Sequence, residues 1–358
     1  MNYQDLDMDR NVPVMLTGAT GYLASWILHD LLELGLTVHA TVRDPDSAKA
    51  AALRDMATGK PGELRLFAAD LADAESFDAP MQGCAVVIHT ASPYRLTVDD
   101  PESDLIRPAI EGTRHVLAAA NRNADIRKIV LTSSCAAIFG DVADCAQAPG
   151  GILTEEIWNN SSGITHNPYA YSKTLAEKAA WDMHDAQDRW SLAVINPAVI
   201  LGPAVGTPPK AESFDIIRGF GNGTLRTGVP QFEVGMVDVR DVAMAHILAG
   251  FGPATGRHIL SEKTLSFLDI AETLRPRFGK DFPLPRRELP KWLLWLVGPL
   301  VDKRFTRRFV ARNLGHRWQA DNRKSREGLG LTYRGVEPGI VEMFAQMVKA
   351  GQFGKAGN

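Results

Sequence analysis

The sequence predicts an α/β protein: a doubly wound parallel sheet with a smaller, mainly helical C-terminal lobe. Three observations carry this expectation. Short apolar runs alternate with helical stretches from Val12 to about Ile200. A glycine turn, Gly18-Ala-Thr-Gly21, joins the first run to the first helix. After Pro197 the rhythm breaks into Gly- and Pro-rich connectors.

Residues 12–17 read as a short buried strand that feeds Gly18-Ala-Thr-Gly21-Tyr-Leu-Ala24 and a helix over 25–34. Strand, turn and helix together make a phosphate cradle. The glycines let the backbone approach a pyrophosphate, and the helix N-terminus offers free N–H donors. Alone, the pattern also fits a simple tight turn; after an apolar strand it marks a Rossmann-type sheet. Further strands are expected at Thr37–Val42, 64–68, 85–90, Lys128–Thr132 and 192–196, with helices over 102–121 and 169–188. Such units place ligands at the carboxyl ends of parallel strands. Later, 213–218 reads as a helix, 234–239 as a strand, 241–249 as a helix, 257–260 as a strand and 336–350 as an amphipathic helix. The expected division is a flexible tail (1–10), a nucleotide-binding domain (11–200 with 234–262) and a substrate-binding lobe (201–233 with 263–358).

A chain of 358 residues with 45% hydrophobic content suits one large domain or two lobes. A net charge of −3 makes no case for nucleic acid. Cys84, Cys135 and Cys145 are too few for a disulfide framework and fit a reducing cytoplasm. The polar opening, MNYQDLDMDRN, does not read as a signal peptide, and Asn160-Ser161-Ser162 reads as a chance sequon. The apolar run near 292–301 is too short to span a bilayer. Ten basic and two acidic residues lie between Lys303 and Arg334. Three readings stand for that stretch: a solvated lid, a membrane surface or a site for an anionic substrate. The lid is favoured, because the chain returns to ordinary amphipathic spacing afterwards. No metal is expected.

At the end of the second strand stands Arg43, suited to a ribose 2′-phosphate, with Lys49 placed to assist. Asp44 is the rival ribose ligand, and a solvated surface charge is the plain alternative for Arg43. Asp70 closes the third strand, where it either accepts from an adenine amino group or caps the next helix. Tyr169 and Lys173 are four apart on one helical face. A free phenol has a pKa of about 10, which a neighbouring ammonium lowers. Tyr171 lies on another face from Lys173, so Tyr169 is the better acid. Ser134 ends a hydroxyl run, Thr132-Ser-Ser134, where it can bind a carbonyl or simply serve the turn.

In this order TGATGYLASW, VRDP, ADLAD, TSS, YAYSK and NPAVILGP resemble an extended short-chain dehydrogenase/reductase. More narrowly, the chain is similar to the branch of dihydroflavonol reductase, cinnamoyl-CoA reductase and the microbial aldehyde and ketone reductases. The likeness covers residues 12–260 and is loose beyond. It implies NADPH/NADP+ as cofactor and a small-molecule carbonyl substrate, in a monomer or homodimer. By it, Ser134, Tyr169 and Lys173 are the catalytic triad, with Tyr169 as proton donor. Gly18, Thr20, Gly21, Tyr22 and Leu23 match the pyrophosphate turn, Arg43 the 2′-phosphate ligand, and Asp70 with Leu71 the adenine contacts. Thr90, Ala91 and Ser92 match the loop beneath the ribose, Thr132 a neighbouring cofactor contact, and Pro197, Val199 and Ile200 the segment on the nicotinamide amide.

Three departures qualify the match. Ala109 stands where many relatives carry a catalytic asparagine. Asn167-Pro-Tyr-Ala-Tyr171 replaces the Asn-Trp-Tyr-Cys-Tyr of the cinnamoyl-CoA enzymes, which speaks against CoA thioester reduction. The apolar stretch after the serine turn speaks against a flavonoid. Pro93, Tyr94, Ile138, Phe139, Tyr171, Phe214 and Phe232 are the candidate walls of an apolar pocket, each equally able to be core. The expected activity is reduction of an apolar aryl or alkyl ketone or aldehyde. The rivals are a 3β-hydroxysteroid dehydrogenase, a nucleotide-sugar epimerase and a non-catalytic NADPH sensor.

Overall fold

The computed structural model describes residues 6, 8–92, 99–301 and 305–353. Its strands are β1 (Val14–Thr17), β2 (Thr37–Val42), β3 (Glu63–Ala68), β4 (Val86–His89), β5 (Lys128–Thr132), β6 (Ser191–Pro197), β7 (Val199–Leu201), β8 (Val229–Pro230), β9 (Glu233–Asp238), β10 (Gly256–Leu260), β11 (Lys263–Ser266) and β12 (Glu288–Leu289). Its helices are α1 (Tyr22–Glu33), α2 (Ala48–Ala57), α3 (Asp78–Met81), α4 (Arg107–Arg122), α5 (Pro168–Asp185), α6 (Glu212–Gly221), α7 (Val239–Phe251), α8 (Phe267–Phe278), α9 (Lys291–Val301), α10 (Arg307–Asn313), α11 (Arg323–Glu327) and α12 (Val336–Lys349).

Seven strands form one sheet in the order β10-β6-β5-β4-β1-β2-β3, every neighbouring pair parallel. Runs such as VMLT and VVIH are buried throughout, as a sheet covered on both faces requires. Side chains alternate between the faces. Val14 and Leu16 join Ile27, Leu31, Val242 and Leu248 of α1 and α7 on one side. Met15 joins Val116, Leu117 and Ala180 of α4 and α5 on the other. Strand order reverses between β1 and β4, which opens a crevice at their carboxyl ends.

A second core gathers Phe214 and Phe220 of α6, Ile270 and Leu274 of α8, and Met343 and Phe344 of α12. Two features depart from the expected division. The strand over 234–239, expected in the nucleotide-binding domain, appears as β9 in a separate sheet, β11-β9-β7. The Trp318 ring lies against Gly235 there, within 2.2 Å of where a Cβ would stand, so only glycine admits it. Leu329, Leu331 and Tyr333, expected in the C-terminal lobe, pack instead on the first core. Among the described residues no helix is long and apolar enough to cross a membrane.

Candidate active site

The crevice is built by two tightly coupled strand ends. Gly18 has φ +67°, and a Cβ on it would stand 3.0 Å from the Ala91 Cα. Glycine is required on both counts. Thr17 Oγ1 accepts the N–H groups of Thr90 (3.1 Å) and Ala91 (3.0 Å), so its proton goes to His89 Nδ1 at 2.8 Å. Gly21 precedes α1 with an extended backbone and no side-chain cap. The first-turn N–H groups of that helix, beside exposed Thr20, are therefore available to an anion. The Tyr22 hydroxyl donates to the Gly202 carbonyl at 2.5 Å, and burial raises its pKa. Leu23 packs at the edge of the first core.

Arg43 and Lys49 are exposed, Arg43 immediately beyond β2 and Lys49 in the first turn of α2. Asp44 Oδ1 accepts the Asp46 N–H at 2.9 Å, so its carboxylate serves the turn. Asp70 Oδ1 likewise accepts the Ala72 N–H at 2.9 Å. Of the two readings for Asp70, the helix cap is not realised, because the next helix begins only at Asp78. The Leu71 carbonyl accepts from His115 Nδ1 at 2.7 Å. A cradle that only glycine fills, an uncapped helix and a neighbouring free guanidinium fit a phosphorylated dinucleotide.

The reactive groups converge across the crevice from this turn. Ser134 lies just beyond β5 in an extended conformation, its Oγ accepting the Ala136 N–H at 3.1 Å. Its side chain hydrogen-bonds Tyr169. Tyr169 occupies the first turn of α5, set by two residues before it. Pro168 is at the helix start, and Asn167 has φ 52° as the one non-glycine residue with positive φ among those described. Asn167 Oδ1 caps the Ala170 N–H (3.3 Å), and Nδ2 donates to the Gly140 carbonyl (2.7 Å). Burial pushes the Tyr169 phenol up to about 12, with the Ser134 bond opposing. Burial therefore outweighs the lowering expected from a neighbouring ammonium, Ser134 being the group that opposes it, and the phenol stays protonated.

Lys173 Nζ lies 3.2 Å from Ser92 Oγ. Burial draws its pKa down to about 8 against the opposing pull of Glu177. His89, buried beside this ammonium, is pushed down to about 3 and stays neutral.

Several expected contacts take other roles. The Thr132 hydroxyl is committed to His246 Nε2 at 2.7 Å, because His246 Nδ1 already donates to the Val242 carbonyl. Thr132 therefore ties β5 to α7 through its side chain. Pro197 closes β6 in the interior, whereas Val199 and Ile200 are half-buried in β7. Of the two roles open to them, pocket wall or core, Ile138 and Phe214 sit in the core at 1% and 0% exposure. Phe139 meets Trp318 edge-on, Phe232 packs on Phe267 and Phe309, and Tyr171 is half-buried. Pro93 and Tyr94 lie outside the described residues. Ala109 is buried on α4, its carbonyl accepting from Thr113 Oγ1 at 2.9 Å.

Sequence reasoning passed over the supports of this site. Asp141, 1% exposed, receives His166 Nε2 (2.8 Å), Asn313 Nδ2 (2.7 Å) and Arg312 Nε (2.5 Å). Arg312 also reaches Asp144 at 2.6 Å. The loop before Tyr169 is thereby fastened to α10. Elsewhere, an open groove of about 900 Å³ is lined by Gln231, Glu288, Lys291, Trp292, Trp295 and Leu296.

An α/β sheet with hydroxyl chemistry beside a glycine turn marks the nucleotide-dependent reductases. The model of the NAD dependent epimerase/dehydratase family matches residues 14–258, and the chain belongs to that family as an NAD(P)-dependent reductase of the extended short-chain dehydrogenase/reductase type. It is 38% identical over 278 residues to cinnamoyl-CoA reductase 1 of Arabidopsis thaliana, covering 76% of this chain and 77% of that one. Anthocyanidin reductase of the same plant is 33% identical over 276 residues, with 74% and 79% covered. Among solved structures, Gre2 of Candida albicans in complex with NADPH superposes with a TM-score of 0.75 at 30% identity, covering 95% of this chain and 99% of that one.

Proposed function

We propose that the chain is an NADPH-dependent carbonyl reductase that converts an apolar aryl or alkyl ketone or aldehyde to the alcohol. The observation that carries this reading is the Ser134–Tyr169 hydrogen bond at the carboxyl end of β5, one helical turn from a buried ammonium. Bound NADPH supplies the hydride that reaches the carbonyl carbon. Ser134 and Tyr169 both donate to the carbonyl oxygen, and Tyr169 yields its proton as negative charge grows there. Burial keeps that donor protonated throughout the neutral range. The positive charge of Lys173 then favours the phenolate left behind.

Gly18, Thr20, Gly21, Tyr22 and Leu23 are assigned to the pyrophosphate, Arg43 and Lys49 to the 2′-phosphate, and Asp70 and Leu71 to the adenine. Thr90, Ala91 and Ser92 are assigned to the ribose, and Pro197, Val199 and Ile200 to the nicotinamide. The NADPH in the Gre2 complex supports this choice of cofactor. Phe139, Tyr171 and Phe232 remain as pocket walls, with α9 as a lid whose Trp292 and Trp295 face solvent. Three buried free cysteines accord with a cytoplasmic location.

The test is NADPH oxidation with a panel of aromatic ketones, β-keto esters, aldehydes, steroids and sugar nucleotides. Turnover of an aryl or alkyl carbonyl is expected. Conversion of sugar nucleotides alone, with the cofactor retained, would replace this reading with an epimerase.

A further inference from the structure

Behind the candidate site a carboxylate lies out of reach of solvent. Glu177, 0% exposed, sits on α5 one turn beyond Lys173. It accepts from Ser133 Oγ, from Asn196 Nδ2 at 2.8 Å, from Arg257 Nε at 2.5 Å and from Trp181 Nε1 at 3.4 Å. Arg257 arrives from β10 at the edge of the sheet and is itself 7% exposed. Its guanidinium donates to the carbonyls of Glu155 (2.7 Å), Ile157 (2.6 Å) and Ala137 (3.4 Å) and lies 4.0 Å from the centre of the Trp158 ring. Asn196 also donates to the Ser134 carbonyl at 3.2 Å. Ser133, the Ser134 carbonyl through Asn196, and the helix bearing Tyr169 and Lys173 thus converge on one ion pair.

Burying two charges is a poor way to gain stability, since well-packed apolar residues of similar volume often do as well or better. We propose that the Glu177–Arg257 pair is a positioning unit: it fixes the segment that presents Ser134 and keeps the Lys173 ammonium charged. The proposal rests on the reductase reading given above. Lys173 faces Glu177 from its own helix, Tyr169 one turn back, His89 from the end of β4 and the Ser92 hydroxyl. Arg257 stands on the far side of Glu177, with buried Cys135 near both. His89 is neutral, and Glu177 is the acidic group that supports the positive charge of Lys173 against burial. Arg257 in turn pairs with Glu177 and ties it to the backbone at Ala137, Glu155 and Ile157.

The experiment compares the full chain with Glu177→Gln and Arg257→Lys. Lysine labelled with 13C at Cε reports the Lys173 titration, assigned by loss of its signal in Lys173→Met. In Glu177→Gln the Lys173 midpoint moves to lower pH, and the alkaline limb of kcat moves with it. There kcat at neutral pH falls by about tenfold or more, while KM for NADPH stays within about twofold. A lower melting temperature with an unmoved midpoint and a superimposable pH profile would reduce the pair to a structural tie. Arg257→Lys keeps the charge and loses the fork, so it decides the matter should Glu177→Gln fail to fold. A kcat lowered about tenfold with unchanged KM for NADPH supports positioning, and wild-type kcat overturns it. The titration needs no substrate. If the wild-type chain reduces no carbonyl, the reductase reading falls while the Lys173 midpoint still tests the role of Glu177.

Discussion

Arg43 offers the cleanest separation of function from stability. It is exposed immediately beyond β2 and has no hydrogen bond or ion pair among the described residues. Arg43→Ala therefore removes no partner from the folded chain, and surface changes of this kind stay within about 0.5 kcal/mol. If Arg43 grips a 2′-phosphate, the lost charged hydrogen bond costs about 1.5–3 kcal/mol. That is a rise of roughly 10- to 150-fold in KM for NADPH. NADH lacks the phosphate, and its KM should stay nearly constant. The assay is steady-state kinetics with both cofactors and one carbonyl, alongside a thermal melt of each protein. Equal losses with the two cofactors, or a lowered melting temperature, would refute the assignment and make Arg43 structural.

Tyr169→Phe should cut turnover by roughly 10²–10⁴ while NADPH still binds by fluorescence titration, whereas Tyr171→Phe should keep most activity; the reverse pattern would show that the donor is misassigned. His89 and His246 are buried, with pKa values pushed down to about 3 and about 4. The unfolded chain takes up protons below about pH 6.5 where the folded chain does not, so stability falls as pH drops below that value. At pH 5 each histidine costs about 2 kcal/mol relative to neutral pH, and urea midpoints that do not move between pH 7 and pH 5 would contradict this. Arg312→Ala leaves Asp141 with His166 and Asn313 but without its guanidinium, and urea unfolding should show a loss of about 1–3 kcal/mol. A loss below about 0.5 kcal/mol would mean that α10 does not anchor the loop before Tyr169.

The sheet was legible because its strands are short apolar runs with no competing pattern. The observed β2 and β5 match the expected bounds, and the others differ by one or two residues. Neighbourhoods made by residues far apart in the chain were not legible. Nothing near Gly235 announces that Trp318 will cover it, or that β9 will pair with β7 and β11 outside the main sheet. Spacing within one helix put Tyr169 and Lys173 together, and the same spacing extended by one turn reaches Glu177. Its partner Arg257 lies eighty positions away, so the sequence alone gives no sign of the pair. Asn167 before Pro168 carried a readable helix-start signal, but its left-handed backbone depends on the Gly140 carbonyl.

The packing of the last third of the chain bears on how the protein is made. Leu329 and Leu331 close the first core, while α12 and Phe353 fill the second alongside Phe214. The first apolar centre is complete only once Tyr333 has left the ribosome, and the second only once Phe353 has. A nascent chain carrying all six strands β1 to β6 still exposes the surfaces those late residues cover, and it waits in that state for the remainder of synthesis. The interval before release is when such a chain is most open to chaperones, proteases and self-association. A chain cut short before Leu329 should be degraded or aggregate rather than persist as a shortened nucleotide-binding protein.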